Sequence, residues 1–560
     1  MKLEVSAAIV WGLWGTAALV EAAPLPVDAG TMMEDQLEKN ATLEGLPEGH
    51  AQVALPEDDR PQLDIPGEVK IQVNGFKISG QDIYSEEALL KAAGLSEYTG
   101  KMCSFQDLQA GADRLSGYLR QQGYLMARAY LPVQKITNGV VEYVILVGKI
   151  DTITFKNEAD IHESALQRQV GFLKAGDYLT REKLERAVWL LSDLAGANAK
   201  ASLETGKTQG TVAIVFDMQP YRGKQGLLSV DNYGNRYTGY NEYGLDYNLL
   251  NPTRNGDQLA LGIRFTGEKL QNYGARYALP LGRDGLKLSL GYNTLFYHLG
   301  DTYKNAEAYG TARTGDIGFD YAILRSQYSN LYAGLHYEYS ELKDEIRAAG
   351  WSVPKHSHGL VMSVAGDRIW AAGSYNWRLD YKWGRLSFDS ETGRQQDRLA
   401  HTGRSFHKLR GYFQQQWYLN PRLSAYASLR GQWASCNLDS SEHFSLGGIN
   451  GVRAYPTSEA SGDMGYLVRG ELRWHVPLSY EQQLQVIGFV DHGGVWIDKD
   501  PAGNGENKRF LQGAGLGLAW YGSRDFFIRA DYAWTIGAQR SLSDAGHSKG
   551  RLWLRAGMYF

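Results

Sequence analysis

Two charged residues stand out: an arginine that precedes a glycine-rich, acidic run, and an aspartate inside an apolar run. Arg453 lies in LGGINGVRAYPTSEASGDMGYLVRGELRW, which is rich in glycine and broken by proline, and Asp491 interrupts the apolar run QVIGFVDHGGVW. Such a pair could fasten a loop to a wall by charge-assisted hydrogen bonds. Alternatively, Arg453 could be a solvated side chain on a surface loop. The spacing alone does not separate these interpretations, which depend on the elements around the two residues.

A second run could bind phosphate. ASLETGKT, from Ala201 to Thr208, has the loose spacing of a phosphate loop, but that chemistry needs a helix to begin at Lys207, and TVAIVF alternates like a strand. We therefore predict a hairpin turn here. The sequence has neither a GxSxG elbow nor an HExxH helix, and its 12 His show no metal spacing. We expect no enzyme activity, no catalytic residue, and no metal or cofactor site.

The composition favours a β-barrel in a membrane. The 560 residues include 65 Gly, 35 Tyr and 14 Trp, the mean hydropathy is -0.38, and no central run of about 20 apolar residues is present. Apolar and polar residues alternate in QLALGIRF and in RLWLRAGMYF. The roughly 339 residues from 222 to 560 hold about sixteen strands, too many for a soluble sandwich. The net charge of -4 argues against nucleic acid as a partner.

Two mixed units precede this region. In the first, VKIQVNGFKISG reads as a strand, SEEALLKAAG and FQDLQAGADRLSGYLRQQGY as helices, and LMARAYLPVQ and GVVEYVILVGKI as strands. The same order recurs in ITFKN, HESALQRQVGFL, REKLERAVWLLSDL, AKASLE and GTVAIVFDMQP. This repetition predicts two small α+β domains, over residues 68–149 and 150–220.

The amino-terminal residues predict export. Lys2 precedes an apolar run and small residues, so we expect a signal peptide over residues 1–22, cleaved after Ala22 or Ala23, with an uncleaved anchor as the alternative. Residues 23–67 are acidic and rich in proline, which is typical of a linker. A capping-box spacing predicts a short helix over Thr31–Asn40, with Thr31 as its cap and Glu34 as the partner. Cys103 and Cys436 are far apart in the chain, and we expect free thiols.

Together these runs resemble the outer-membrane transporters of two-partner secretion, called TpsB or haemolysin-activator type, in the Omp85 superfamily. LGGINGVRAYPTSEASGDMGYLVRGELR is similar to that family's VRGY loop, and FVDHG is similar to its F-x-D-x-G barrel motif. GYLMARAYLPVQ and GVVEYVILVGKI look like the end of its first POTRA domain, DNYGNRYTG looks like its first barrel strand, and Phe560 matches the usual terminal residue. One departure is Ala454, where the commonest motif has glycine, so the loop backbone is expected to differ slightly there.

The resemblance implies a mainly β fold: a plug helix and linker over residues 23–67, two POTRA domains, and a 16-stranded transmembrane β-barrel over residues 221–560. It implies a transporter in the outer membrane of a Gram-negative bacterium, with its POTRA domains in the periplasm. The transporter would export an unfolded, β-helical partner exoprotein of TpsA type without ATP. Outer-membrane lipid would surround the barrel, and the chain would be monomeric. The alternatives are an Omp85-type assembly factor, which usually carries more POTRA domains, and a passive porin or receptor, which would leave the mixed domains unexplained.

The resemblance also assigns site residues. The transport-loop motif would be Val452, Arg453, Ala454 and Tyr455, and the barrel-wall motif Phe489, Asp491 and Gly493. It implies that Arg453 at the loop tip pairs with Asp491 on the wall. The proline and glycines would let the loop turn back into the lumen, where the arginine would anchor it.

Overall fold

The computed structural model describes residues 28–41, 52–54 and 70–560, except residues 222, 268, 480–481, 504, 523–524, 538 and 545–548. The predicted signal peptide and most of the predicted linker lie outside these residues. Within the described part, no helix has the length and apolar character needed to span a membrane.

The first mixed domain follows the predicted order of elements, with two additions. It contains β2 (Lys70–Val73), β3 (Gly75–Ser79), α2 (Glu86–Ala92), β4 (Lys101–Ser104), α3 (Phe105–Gln121), β5 (Arg128–Tyr130) and β6 (Val140–Leu146). The first predicted strand is split into β2 and β3, and β4 was not predicted. Strand β6 lies between β3 and β5, while β2 pairs with β4. Helix α3 begins at a capping box of Ser104 and Asp107 and buries Leu108, Leu115 and Leu119 in the core.

The second mixed domain contains β7 (Lys149–Asn157), α4 (Glu163–Gln169), α5 (Arg181–Ser192), β8 (Ala197–Thr205) and β9 (Thr211–Pro220). Its sheet has the order β1-β8-β9-β7, where β1 (Gln52–Ala54) belongs to the segment predicted as a linker and pairs parallel to β8. The run ASLETGKT forms the end of β8 and a hairpin turn, in which the Gly206 amide donates to the Thr211 carbonyl at 3.1 Å. The hairpin prediction is therefore confirmed.

Sixteen antiparallel strands close a barrel, as predicted. The first strand, β10, pairs with the last, β27, from Leu227 opposite Tyr559 to Asp231 opposite Arg555. A two-stranded ribbon, β21 (Phe444–Ser445) with β22 (Ser461–Gly462), lies in the loop between β20 and β23. The barrel strands are β10 (Gly226–Asp231), β11 (Glu242–Leu250), β12 (Gln258–Phe265), β13 (Leu270–Gly282), β14 (Leu286–His298), β15 (Ala308–Arg325), β16 (Ser329–Ile346), β17 (Trp351–Trp370), β18 (Gly373–Phe388), β19 (Ser405–Asn420), β20 (Leu423–Ala434), β23 (Met464–Ser479), β24 (Gln482–Trp496), β25 (Lys508–Tyr521), β26 (Phe526–Thr535) and β27 (Gly550–Tyr559).

The alternation read from the sequence matches the two faces of the wall. Leu261, Ile263 and Phe265 are exposed on the outer face, as are Leu552 and Leu554 of the last strand. The inner face carries polar residues and glycine. Such an outer face suits lipid, and such an inner face suits a watery lumen.

One strand assignment was wrong. Of the run DNYGNRYTG, only Asp231 belongs to β10, which lies mostly before it. The Asn235 side chain accepts hydrogen bonds from the amides of Tyr237 (2.9 Å) and Thr238 (3.0 Å) and folds the run into a turn. A side chain that satisfies nearby amides competes with strand pairing, which explains the error.

The second mixed domain is fastened to one end of the barrel, here called the domain end. Arg325 at the end of β15 donates to Asp193 at 2.8 and 2.7 Å and lies over the Trp189 ring. Arg186 of α5 donates to the carbonyls of Asp284 and Ala322, both at 2.7 Å. These bonds hold the domain against the turns at this mouth of the barrel.

Helix α1 (Ala29–Ala41) lies inside the barrel. Met32 and Met33 are buried in an apolar cluster that includes Leu295 and Leu342 of the inner wall, and the Ala29 amide donates to Asp344 at 2.9 Å. The helix begins two residues before the predicted Thr31, because the Asp28 carboxylate accepts the Thr31 amide at 2.9 Å. The predicted capping box is wrong: Thr31 lies within the helix, and Glu34 contacts Arg410 of the wall.

The position of α1 depends on a close approach at Gly30. A Cβ at this residue would lie 2.5 Å from the Ser441 amide nitrogen and 2.6 Å from its Cα. We predict that Gly30→Ala displaces the helix, because overpacking against backbone costs about 1–3 kcal/mol. The open probability in planar bilayers should rise about tenfold for each 1.4 kcal/mol lost. Deletion of Ala29–Ala41 should also raise the single-channel conductance.

Leu37→Ala is the matched control, because Leu37 is exposed on the same helix and its truncation should leave the channel closed. Equal channel records for the native chain, Gly30→Ala and the deletion would show that α1 does not block the pore.

Candidate functional site

The loop between β20 and β23, residues 435–463, turns back into the lumen. Its turn is tight: the Val452 amide donates to the Leu446 carbonyl at 2.7 Å, and the Tyr455 amide donates to the Val452 carbonyl at 3.1 Å. Val452, Arg453 and Tyr455 are fully buried, and Ala454 is 1% exposed. The structure therefore excludes the solvated-loop interpretation of Arg453.

Arg453 and Asp491 form a buried ion pair. Arg453 Nε and Nη2 donate to the two Asp491 oxygens at 2.8 and 2.7 Å, and the Arg453 amide donates to the same carboxylate at 3.1 Å. Both side chains are 0% exposed. The two parallel bonds give the fork geometry that arginine and a carboxylate favour. Asp491 lies on β24 and faces inward, whereas its neighbour Val490 faces outward.

A second carboxylate, Glu471 of β23, completes the pair, and sequence reasoning missed it. Arg453 Nη1 donates to Glu471 at 2.7 Å. The signal was present in GYLVRGELRW, where alternation places Arg469, Glu471 and Arg473 on the inner face together. Nε and Nη2 of Arg453 thus donate to Asp491, and Nη1 donates to Glu471, so all three guanidinium nitrogens have a charged acceptor.

The surroundings of Arg453 favour its charged form. Burial alone would lower the pKa of Arg453, but hydrogen bonds to Asp491 and the charges of Asp491 and Glu471 outweigh burial and raise it. The guanidinium carbon lies 3.5 Å from the centre of the Phe489 ring, and the Trp553 indole donates to the Arg453 carbonyl at 2.7 Å. The loop tip is therefore held by ion pairs, by contact with the Phe489 ring, and by the hydrogen bond from Trp553 to its backbone carbonyl.

Glycines on the wall make room for the loop. A Cβ at Gly493 would collide with the Leu446 side chain of the loop, and a Cβ at Gly513 would lie 2.5 Å from the Ala454 Cβ. Ala454 is not among the described residues with a positive φ, so alanine fits this backbone without strain. The aspartate and glycine of FVDHG thus do different work: Asp491 binds the loop, and Gly493 lets it approach.

Glu459 provides a second anchor, which sequence reasoning also missed. Its carboxylate is fully buried and accepts hydrogen bonds from the amides of Leu542 (2.7 Å) and Ser543 (3.1 Å) and from Arg509. The two amides tie the lumen loop to the segment between β26 and β27, and Arg509 ties it to β25. Backbone amides as donors leave no sequence pattern, so this bond could not be predicted.

A third anchor joins the loop to the wall, and the turn that provides it contacts the residue before α1. Glu442, in the 3-10 turn Ser440–Glu442, lies 2.7 Å from Lys382 and also contacts Lys408. Burial raises the pKa of Glu442, but the two ammonium groups lower it more, to about 2, so the carboxylate stays charged. In the same turn, Ser440 bonds to Asp28, next to α1. Among the described residues, no group of three possible metal ligands occurs.

Comparison with known proteins agrees with this architecture. The family profile "Haemolysin secretion/activation protein ShlB/FhaC/HecB" matches residues 210–520, more than half of the chain, and the profile "POTRA domain, ShlB-type" matches residues 71–148. The chain belongs to this family of TpsB transporters. It is therefore an outer-membrane β-barrel of a transporter family, with its POTRA domains in the periplasm. The domain end is the periplasmic mouth, and the other end is the outer face.

Curated relatives and solved structures of this TpsB family cover most of the chain. The heme/hemopexin transporter protein HuxB of Haemophilus influenzae (strain 86-028NP) is 24% identical over 469 residues, 82% of each chain. The outer membrane transporter CdiB of Escherichia coli (strain 536) is 23% identical and covers 72% of this chain and 68% of its own. The solved structure of CdiB from Escherichia coli superposes with a TM-score of 0.73 at 16% identity, over 97% of this chain and 100% of that chain. CdiB from Acinetobacter baumannii gives 0.69 at 18% identity, with the same coverage.

We predict that Arg453→Ala impairs secretion of the partner exoprotein. Removing one member of a buried pair costs about 3–5 kcal/mol when no water reaches it, and lumen water should reduce this cost. Asp491→Ala should have a milder effect, because Glu471 still binds the arginine, and Arg453→Lys should be intermediate, because it keeps the charge and loses the fork. The measurement is exoprotein in the medium, normalised to heat-resistant barrel in the outer membrane.

Arg313→Ala is the control, since Arg313 lies on the outward face of β15 and 54% of its side chain is exposed. The reciprocal change, Arg453→Asp with Asp491→Arg, shows whether attraction alone suffices. Full secretion by Arg453→Ala at a normal barrel level would refute the anchoring role.

Proposed function

We propose that this protein binds an unfolded partner exoprotein in the periplasm through its POTRA domains and passes it outward through the barrel without nucleotide. The exoprotein would be a secreted, β-helical protein of TpsA type. The transport-loop motif, Val452 to Tyr455, and the barrel-wall motif, Phe489, Asp491 and Gly493, would hold the pore in its resting state.

One observation carries this proposal: the lumen is filled by two elements that the wall binds through side chains. Neither α1 nor the loop tip contributes a strand to the sixteen-stranded barrel. Both can therefore leave the lumen without breaking any wall pairing. The bonds that must break are ion pairs such as Arg453 with Asp491 and Glu34 with Arg410, which lumen water can replace.

Recognition of an unfolded chain can use the edge of a POTRA sheet. An extended segment adds to such an edge through main-chain hydrogen bonds, which demand little of its sequence. The second domain already carries an added strand of this kind, since Gln52–Ala54 pairs with Lys200 to Ser202 of β8. We propose that the exoprotein takes the place of this strand.

Folding of the exoprotein outside the cell would supply the direction of transport. A chain that folds after it emerges cannot slide back, so each folded segment biases the movement outward. This source of free energy needs no nucleotide. In agreement, the only run with phosphate-loop spacing that we identified forms the turn between β8 and β9 and opens no helix.

The test of the function is co-expression with a large exoprotein encoded beside this chain. We expect the exoprotein in the medium only when the transporter is present. An assembly factor, the alternative, would instead change the amounts of other outer-membrane barrels and leave the exoprotein unaffected. The latter outcome would refute the proposal.

We predict that Val53→Pro in the full chain strengthens binding of the unfolded amino-terminal region of the exoprotein. Proline removes an amide from β1 and weakens the strand that competes for β8. A loss of about 1.4 kcal/mol from β1 should tighten the measured dissociation constant up to about tenfold. Val133→Pro is the control, because Val133 is fully exposed outside every strand.

Removal of the region from Val69 to Gln219 should abolish this binding, and the isolated region should retain it. If the isolated region fails while the full protein binds, the POTRA domains are not the receptor. Unchanged affinity of Val53→Pro would show that the edge of β8 is not the site.

A further inference from the structure

Six arginines on one wall of the lumen form a basic track. Each alternates with an outward residue; for example, Arg430 follows the exposed Leu429, and Arg469 follows the exposed Val468. They occur on strands β19 to β27, and the antiparallel register distributes them from the outer half of the barrel to the periplasmic mouth. They are Arg410, Arg430, Arg469, Arg473, Arg529 and Arg555.

Carboxylates on this wall are fewer than the arginines. The described residues of β19, β20 and β23 to β27 include three acidic side chains, namely Glu471, Asp491 and Asp531. Glu471 is shared: it lies 2.7 Å from both Arg473 and Arg453, and 4.0 Å from both Arg469 and Arg529. Asp491 lies 2.7 Å from Arg453, and Asp531 lies 2.6 Å from Arg529. These three carboxylates serve the six arginines and Arg453, so the wall keeps an excess of positive charge.

The opposite wall, formed by β13 to β16, carries carboxylates instead. Arg276 of β13 pairs with Asp316 of β15 at 3.1 Å, and Asp320 and Glu338 lie on the same inner face as Asp316. Positive charge therefore lies on one side of the lumen.

Helix α1 contributes a carboxylate to the basic wall. Its sequence, AGTMMEDQLEKNA, carries three acidic residues and one lysine. Its methionines face the apolar patch of the opposite wall, while Glu34 contacts Arg410. When α1 leaves, Arg410 loses this partner. The resident helix thus shows which chemistry the wall accepts, namely carboxylates carried by a polypeptide.

We propose that the arginine wall is a track for acidic stretches of the transported polypeptide, which replace the acidic helix α1 during export. This inference rests on the proposed function and specifies the chemistry of the chain that passes. A narrow channel lined by one sign of charge focuses the field and concentrates the opposite charge. Several shared, water-screened sites bind strongly enough for entry and weakly enough for release.

The test uses the chain that lacks Ala29–Ala41, in planar bilayers, with short poly-L-glutamate or poly-L-lysine added on the periplasmic side. The barrel should close without α1, because no wall strand pairs with it. We expect an anion-selective reversal potential in a KCl gradient and a block by polyglutamate that polylysine does not produce. The block should weaken at high salt, because screening shortens the reach of the charges to about 3 Å at 1 M.

Two double variants locate the track. Arg410→Gln with Arg555→Gln should weaken the polyglutamate block about tenfold. Arg276→Gln with Lys287→Gln removes the same charge from β13 and β14 on the opposite wall and should change the block less than about twofold. Arg410→Lys with Arg555→Lys keeps the charge and should keep the block, and heat-modifiable gel mobility shows that each barrel is folded.

If both glutamine variants weakened the polyglutamate block equally, the block would depend on the net charge of the pore, and the track on one wall would be refuted. Block by polylysine as strong as that by polyglutamate, or a cation-selective pore, would also overturn it. None of these measurements requires the exoprotein. A failure of secretion with an intact polyglutamate block would therefore refute the proposed function and leave the track standing.

Discussion

The closed hydrogen-bond ladder of the wall is the constraint on which the rest depends. In hydrocarbon no water satisfies a backbone amide, so each strand must pair on both sides, and β10 must meet β27. Closure requires alternation, because one face of every strand meets lipid and the other meets the lumen. Asp491 and Glu471 can exist in a membrane protein only because this alternation turns them inward, where they meet Arg453 of the loop.

The wall and its contents are therefore bound by different forces. The wall is a continuous array of main-chain bonds, and its shortest pairing is the one that closes it, between β10 and β27. The lumen loop is held by the fork of Arg453, by Glu459 with the segment before β27, and by Glu442 with two lysines. Helix α1 is held by Glu34 with Arg410 and by Asp344 with the Ala29 amide. Such bonds are strong when dry and weaken as water enters. The lumen loop and α1 can thus move out of the pore while the strand pairing of the wall stays intact.

The sequence predicted the wall better than the contents. Alternation in QLALGIRF and RLWLRAGMYF indicates the barrel, because each strand turns apolar residues to the lipid and polar residues or glycine to the lumen. The resemblance of VRAY and FVDHG to known motifs indicated the pair of Arg453 and Asp491. Glu459 could not be found this way, because its partners include backbone amides, and the three-residue strand β1 was missed because its pairing with β8 is long-range. Helix α1 was found, but its start was misplaced, since the Thr31 amide donates to Asp28 and Thr31 itself lies within the helix.

The contact between Ala454 and Gly513 limits how these two positions can change over time. The space between the loop tip and β25 admits one Cβ, and here the loop holds it. A glycine at 454 would remove the nearest obstacle to a Cβ at 513, whereas side chains at both would push the loop away from Asp491. Positions 454 and 513 are far apart in the chain, but the space between them fits one Cβ. The residue at one position therefore decides which residues fit at the other. In this chain the loop can carry alanine at 454 because the wall residue that faces it is glycine.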